Sequence, residues 1–343
     1  MTLPLIHCFD HNYVLPAAVC FHSLLEHARR KDVSYVIEVL GSGLTQEDSE
    51  LLKTVVSRFP NARLNIRSLP SLSRFRDGIR TRSHYSTELY RKLALPSLFE
   101  EYRTAVVADV DVIYEDDVAS VLDELPRDDD WMVAGVWDLG YAAAHGCGLF
   151  PTGRPCIRGD ARKYTQAERE ALRIGAGLMV YNLDRLRKEG IQAKWESFAL
   201  KNLKRAILPE QETINLTVPD RIRLLPMRYM AIAQHLPQFG RMTAEDRRRN
   251  PAWDEMFAHI VQLHYASATK PWSDPGSAGA DRWFAACARA GLVETWRRWF
   301  AEYNRPAVEW RERRKIVDLS FRLFSRAYEL SLTKGPKSAS PAK

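Results

Sequence analysis

The chain has no apolar run approaching the roughly 20 residues of a bilayer-spanning helix, no C-x-x-C pair, and no charged N-terminal stretch leading into a long apolar one. These absences argue against a membrane span, against a zinc ribbon or redox dithiol, and against a secretory signal; the expectation is residence in the cytoplasm. The five cysteines, Cys8, Cys20, Cys147, Cys156 and Cys287, are odd in number and irregularly spaced, which reads as free thiols rather than a disulfide framework. Internal repeats are missing too. The body of the chain also carries no excess of charge: the formal net charge of +7 belongs to its end, where residues 297–343 hold 12 Lys/Arg against 5 Asp/Glu. A basic end on a neutral body suits an anionic lipid surface or an acidic partner and argues against nucleic acid.

What is present is ordinary for a globular enzyme: 343 residues, 45% hydrophobic and 27% charged, enough for one large α/β domain with appendages. Residues 4–10 read as a strand, 14–29 carry apolar positions at helical spacing, 33–40 read as a second strand, Thr45 caps a helix reaching about Phe59, and 64–69 read as a third strand. This β-α-β-α-β order predicts parallel pairing with right-handed crossovers. A helix is expected from Thr87 to Glu101, a buried strand at Thr104–Asp109, another at Gly177–Tyr181, and a largely helical stretch over 184–204. Residues 70–84 and 140–165 are unpatterned, and a long irregular segment such as the second is usually functional. Residues 236–258 read as a mobile polar connection, and 334–343 as disordered.

Three segments carry chemistry. In Ala-Val-Val-Ala-Asp109-Val-Asp111, two carboxylates two apart follow an apolar strand, where open α/β sheets place ligands. Two hard oxygen donors there can hold Mg²⁺ or Mn²⁺; a strand-end turn is the bland alternative. In His264-Tyr-Ala-Ser-Ala-Thr-Lys270-Pro-Trp272, an imidazole could complete a metal shell and a lysine six residues on could meet phosphate oxygens; a core histidine with a surface lysine is the bland alternative. In Cys8-Phe-Asp10-His11-Asn12-Tyr13, Asp and Asn at a strand end could bond a base and a ribose while Tyr13 stacks; helix capping is the bland alternative.

Taken in order, these segments resemble glycosyltransferase family 8, the group of glycogenin and bacterial lipopolysaccharide galactosyl- and glucosyltransferases, over about residues 4–290. Tyr90-Arg91-Lys-Leu looks like the family's Y-x-R-L, Asp109-Val-Asp111 its D-x-D, Gly175-Ala-Gly177 through Asn182-Leu its N-A-G strand, Glu210-Gln211-Glu212 its D-Q-D, and His264 through Trp272 its H-x-x-G-x-x-K-P-W. Asp138 matches a sugar-contacting Asp. The resemblance implies an α/β class GT-A fold, a Rossmann-like α/β/α sandwich with a mixed central sheet over 1–290, followed by a basic amphipathic helical tail over 291–333 and the disordered C-terminus. It implies a retaining, Mn²⁺-dependent (or Mg²⁺-dependent) transferase moving a hexose, galactose or glucose favoured, from a UDP-sugar donor to a lipopolysaccharide, other glycan or lipid-linked saccharide acceptor. Asp109, Asp111 and His264 would bind the metal. Cys8, Asp10, Asn12 and Tyr13 would hold uridine, and Lys270 the diphosphate. Arg91, Asp138, Glu210 and Gln211 would surround the sugar, with Gln211 on the β-face as weak nucleophile or carbonyl dipole, unless same-face attack operates.

Four positions depart from the family pattern: Gly175 replaces Asn, Glu210 and Glu212 replace Asp, and Ser267 replaces Gly. They bear on the identity of the sugar. In the tail, Arg311, Lys315, Arg322 and Arg326 share one helical stripe, opposite Ile316, Leu323, Phe324 and Ala327. That pattern suits peripheral attachment to the inner face of the cytoplasmic membrane, or equally a helix docked with a solvated basic face. Two other functions compete: a non-catalytic nucleotide-sugar-binding homologue, toward which Gly175 and Glu210 point, and a D-x-D phosphatase with Asp109 as nucleophile.

Overall fold

The computed structural model describes residues 1–68, 87–128, 130–138, 165–203, 209–249, 251–266 and 269–302. The chain divides into Met1–Val293 and Glu294–Lys343; of the second unit only the helical residues 294–302 are described. Among the described residues no helix is long and apolar enough to cross a membrane.

Among the described residues of the first unit there are ten strands: β1 (Thr2–Asp10), β2 (Ser34–Ser42), β3 (Ala62–Ser68), β4 (Thr104–Ala108), β5 (Val112–Tyr114), β6 (Val133–Trp137), β7 (Ile174–Asn182), β8 (Ile222–Leu225), β9 (Ala231–Ile232) and β10 (Gln262–His264). Seven form the main sheet in the order β3-β2-β1-β4-β7-β6-β8, and β5-β10-β9 form a small second one. Strands β3, β2, β1 and β4 are parallel, β7 is antiparallel to both β4 and β6, and β8 is parallel to β6. The parallel half follows from the β-α-β-α-β order, and the whole is a mixed sheet, as the family resemblance implies.

Alternation along β1 assigns its two faces. Phe21, on the fully apolar face of the helix Val14–Glu26, packs against His7 and Phe9. Ile6 turns to the opposite side, into a core with Leu40, Tyr90, Leu93, Phe99, Val107, Met179, Tyr181, Trp195 and Ile214. Layers of helix therefore cover both faces. Thr45 caps the helix Gln46–Val56 through a reciprocal capping box with Asp48, as its position before Glu47 and Asp48 predicts.

Several segments differ from expectation. The single helix over Thr87–Glu101 is instead a 3-10 helix (Thr87–Ala94) followed by one α turn (Leu95–Leu98); Pro96 has no N–H to continue an α ladder from the preceding turn. The helical stretch over 184–204 is broken at Gly190, whose φ of +62° separates Leu183–Lys188 from Ile191–Asn202. The polar connection over 236–258 is ordered as short helices Leu236–Phe239, Ala244–Arg249 and Pro251–Phe257. Trp253 at its centre is fully buried and touches His235 and Phe257. Its apolar anchors are sparse in sequence and outnumbered by solvent-side Arg, Asp and Glu. The expected loops over 70–84 and 140–165 and the C-terminal tail lie largely or wholly outside the described residues.

Candidate active site

One edge of the sheet collects the chemistry. Strand β4 ends at Ala108, so Asp109 leaves the carboxyl end of a central strand beside the end of β1. Because β7 runs the other way, its first residues reach the same edge, and the Asp109 N–H donates to the Gly177 carbonyl at 3.2 Å. Strand β6 delivers Asp138, whose N–H donates to the Arg173 carbonyl at 2.8 Å. The small sheet supplies the remaining pieces. His264 ends β10 opposite Val112 of β5, and the Tyr265 N–H donates to the Asp111 carbonyl at 2.9 Å.

Asp109, Asp111 and His264, 155 positions apart at the extreme pair, thus offer three donor atoms all within 4.8 Å of one another. His264 Nε2 lies 3.2 Å from Asp111 Oδ1 and 3.7 Å from Asp109 Oδ2. Ligands about 2.1 Å from a small octahedral cation sit about 3 Å apart when adjacent, so two carboxylate oxygens and one imidazole nitrogen fit Mg²⁺ or Mn²⁺. The ring has room to lie there only because residue 177 is glycine: a Cβ at that position would stand 2.6 Å from His264 Cε1.

Each carboxylate also has its own lysine. Lys270 Nζ donates to Asp111 Oδ2 at 2.5 Å and to the Tyr265 carbonyl at 2.6 Å. Burial opposes ionisation of Asp111, but Lys270 and His264 outweigh it and hold the carboxyl well below its ordinary range. Lys92 Nζ donates to Asp109 Oδ1 at 2.5 Å and to the Ala176 carbonyl at 3.1 Å. Burial works against the Lys92 charge, yet Asp109 and Glu210 overcome it and raise its pKa. Sequence reasoning placed the sugar-side cation on Arg91, which is also buried; the cation that reaches Asp109 is Lys92. The Y-x-R-L pattern taken from Tyr90 puts its basic residue two positions on, at Lys92, and that was the available signal.

A second cluster adjoins the first through the Ala176 peptide. The Ala176 N–H donates to Gln211 Oε1 at 3.1 Å, while Gln211 Nε2 donates to Asp138 Oδ2 at 2.8 Å. The amide is pinned at both ends, so one lone pair of the carbonyl expected to face a sugar is already engaged. Glu210, buried beside Lys92, has its carboxyl pushed up to about 7, chiefly by desolvation, with Lys92 opposing. Asn215 holds the start of β7, accepting from the Arg173 and Ile174 N–H groups. Met230, another residue that sequence reasoning missed, lies over both glycines of β7: a Cβ at Gly175 would stand 2.7 Å from its Cε, and one at Gly177 3.0 Å from its Sδ.

The end of β1 forms a third group. Asp10 accepts from the Asn12 N–H at 3.0 Å, a capping bond. Asn12 is exposed, and Cys8 is half-buried. Tyr13 meets Trp272 edge to face at 6.0 Å, which ties this loop to the Lys270-Pro-Trp272 segment. Ser267 lies outside the described residues.

A mixed seven-stranded sheet between helical layers, with a carboxylate pair, an imidazole and a lysine at the strand ends, is the layout of a GT-A glycosyltransferase. The profile of glycosyl transferase family 8 matches residues 4–276, and the chain belongs to that family. Among solved structures it is similar to the bifunctional glycosyltransferase WbbM in its apo form, at 20% identity and TM-score 0.66, covering 87% of this chain and 51% of WbbM. It thus spans about half of WbbM's length. It is also similar to the active-site mutant Q189E of LgtC, at 15% identity and TM-score 0.62 over 84% of this chain and 96% of that one. A third similar structure is GlyE of Streptococcus pneumoniae TIGR4, at 16% identity and TM-score 0.58 over 90% and 64%. At these identities the likeness shows the fold. No curated protein sequence matches the chain.

Proposed function

We propose that the protein is a retaining hexosyltransferase that uses a UDP-sugar and a divalent cation, Mn²⁺ or Mg²⁺, to glycosylate a lipopolysaccharide or other glycan acceptor. The observation that carries this reading is the convergence of Asp109, Asp111 and His264 on one cation-sized space with Lys270 beside it. Asp109, Asp111 and His264 would hold the ion, which when bound supplies positive charge to a leaving diphosphate. Lys270 is poised to exchange Asp111 for a phosphate oxygen, adding a second positive charge where negative charge grows in the transition state. Asp10, Asn12 and Tyr13, at the neighbouring strand end, would bind uridine with Cys8 behind them.

Asp138 and Gln211 would border the sugar. With its oxygen held by Ala176 and its nitrogen by Asp138, Gln211 is suited to present a fixed dipole to a developing oxocarbenium ion. That arrangement favours electrostatic stabilisation over nucleophilic attack by the amide. Gly175 offers no side chain toward Asp138, and Met230 lies over it, so this position would give a sugar no side-chain hydrogen bond. Galactose or glucose is the favoured hexose by family likeness. The basic tail would bring the enzyme to anionic lipid at the inner face of the cytoplasmic membrane, near lipid-linked acceptors.

The test is a panel of UDP-sugars incubated with Mn²⁺ and no acceptor, scored for slow release of UDP. One or two hexose donors should be hydrolysed, and chelator should stop the reaction. Binding of UDP-sugars with no hydrolysis of any, in the presence of Mn²⁺, would instead favour a non-catalytic nucleotide-sugar-binding role.

A further inference from the structure

We propose that Lys92 is a positioning residue that limits Asp109 to a one-oxygen grip on the divalent cation, keeping the bare site weak and selecting small hard ions over Ca²⁺. This rests on the metal-centre reading above.

The two oxygens of Asp109 have different partners. Oδ1 is committed to Lys92 Nζ at 2.5 Å, and Oδ2 is the one that faces His264 Nε2. Asp111 repeats the arrangement, with Oδ2 on Lys270 and Oδ1 facing the imidazole at 3.2 Å. The face left for an ion is therefore one oxygen from each carboxylate and one nitrogen. The two lysines are not equivalent. The Lys270 side chain is 10% exposed and that of Lys92 only 1%. Lys92 is held by Asp109 and the Ala176 carbonyl, with Glu210 as a further negative neighbour and Tyr90 and Leu93 buried around it in the chain. Lys270 can swing to an incoming diphosphate; Lys92 has nowhere to go.

Two consequences follow from charge and geometry. Two lysines already offset two carboxylates, so a divalent cation alone adds uncompensated positive charge, and the site tightens only when a diphosphate arrives. Ca²⁺ gathers 6–8 oxygens and often takes a carboxylate through both, whereas Mg²⁺-like ions accept single oxygens and water in an octahedron. A lysine locked onto Oδ1 denies Ca²⁺ the second oxygen of Asp109.

The experiment is titration of the full chain with Mn²⁺, followed by the EPR signal of free Mn²⁺, with Ca²⁺ as competitor, in the presence and absence of UDP. Wild type should bind Mn²⁺ tightly only with UDP and should resist Ca²⁺. Lys92→Met, which frees Oδ1 and removes the charge, should bind Mn²⁺ without UDP about 10- to 100-fold more tightly, the scale on which outer partners act on a metal ligand. It should also yield to Ca²⁺ at a correspondingly lower concentration. The paired change Lys92→Met with Glu210→Gln removes both buried ionisable groups and serves if the single variant does not fold. Unchanged or weaker Mn²⁺ affinity in either folded variant overturns the proposal, as does a wild type that binds Ca²⁺ as tightly as Mn²⁺. A wild type that binds no Mn²⁺ even with UDP instead overturns the metal-centre reading beneath it.

Discussion

The His264 imidazole lies against the bare Cα of Gly177, so close that a methyl group there would come within 2.6 Å of Cε1. The ring and the Met230 sulfur both lie against this glycine, so Gly177→Ala should displace the ring from the carboxylate pair. The expected result is at least a ~10-fold loss of Mn²⁺ affinity measured with UDP present, with the far-UV spectrum of the fold retained. Gly190→Ala, at a left-handed turn far along the chain where a Cβ would meet nothing within 4 Å, should cost about 1–2 kcal/mol of stability and leave metal affinity alone.

Asp109→Asn and Asp111→Asn each replace an anionic ligand with a neutral one of the same shape. Metal-dependent release of UDP from the donor should fall by roughly 100-fold or more in either variant, beyond the effect of losing an outer partner. Full activity in either would refute the metal assignment.

Glu210 makes stability depend on pH. Its carboxyl is raised by burial from 4.5 to about 7, so the folded state holds a proton that the unfolded chain has released. Its contribution is fully present below about pH 4.5 and is lost as pH rises through about 7. Glu210→Gln should remove that dependence. In metal-free urea melts the variant should gain up to about 3 kcal/mol on wild type near pH 8, shrinking to little near pH 5. An equal difference at both pH values would show that the carboxyl is ionised throughout.

Removal of residues 309–343 takes away most of the basic tail. Co-sedimentation with anionic vesicles should drop to the level seen with neutral ones, and UDP release from a soluble donor should persist. Undiminished vesicle binding would place the basic face elsewhere.

Much of this was legible in short segments. Asp109 and Asp111 stand out because an apolar strand ends at a polar pair, and strand ends are where such sheets bind ligands. His264 and Lys270 were readable through their spacing and neighbours. Lys92 was hidden for a physical reason. It sits among Tyr90, Leu93 and Leu95, in a stretch whose pattern suggests an ordinary helix, and its charge is explained only by Asp109 and Glu210 brought from distant parts of the chain. Met230 was hidden likewise, since nothing local marks a methionine that lies across two glycines of another strand. Trp253 escaped because its anchors are few and the charged residues around them dominate the pattern.

The reversal of β7 has a practical corollary. Asp109, Asp111, Asp138 and His264 emerge on one rim, and among the described residues the far rim carries scaffolding contacts: Asp184 N–H on the Arg103 carbonyl, and Asn182 spanning Trp131 and the following helix. An affinity handle or surface linker attached at that far rim would anchor the molecule to a support with its reactive side turned outward to the solution.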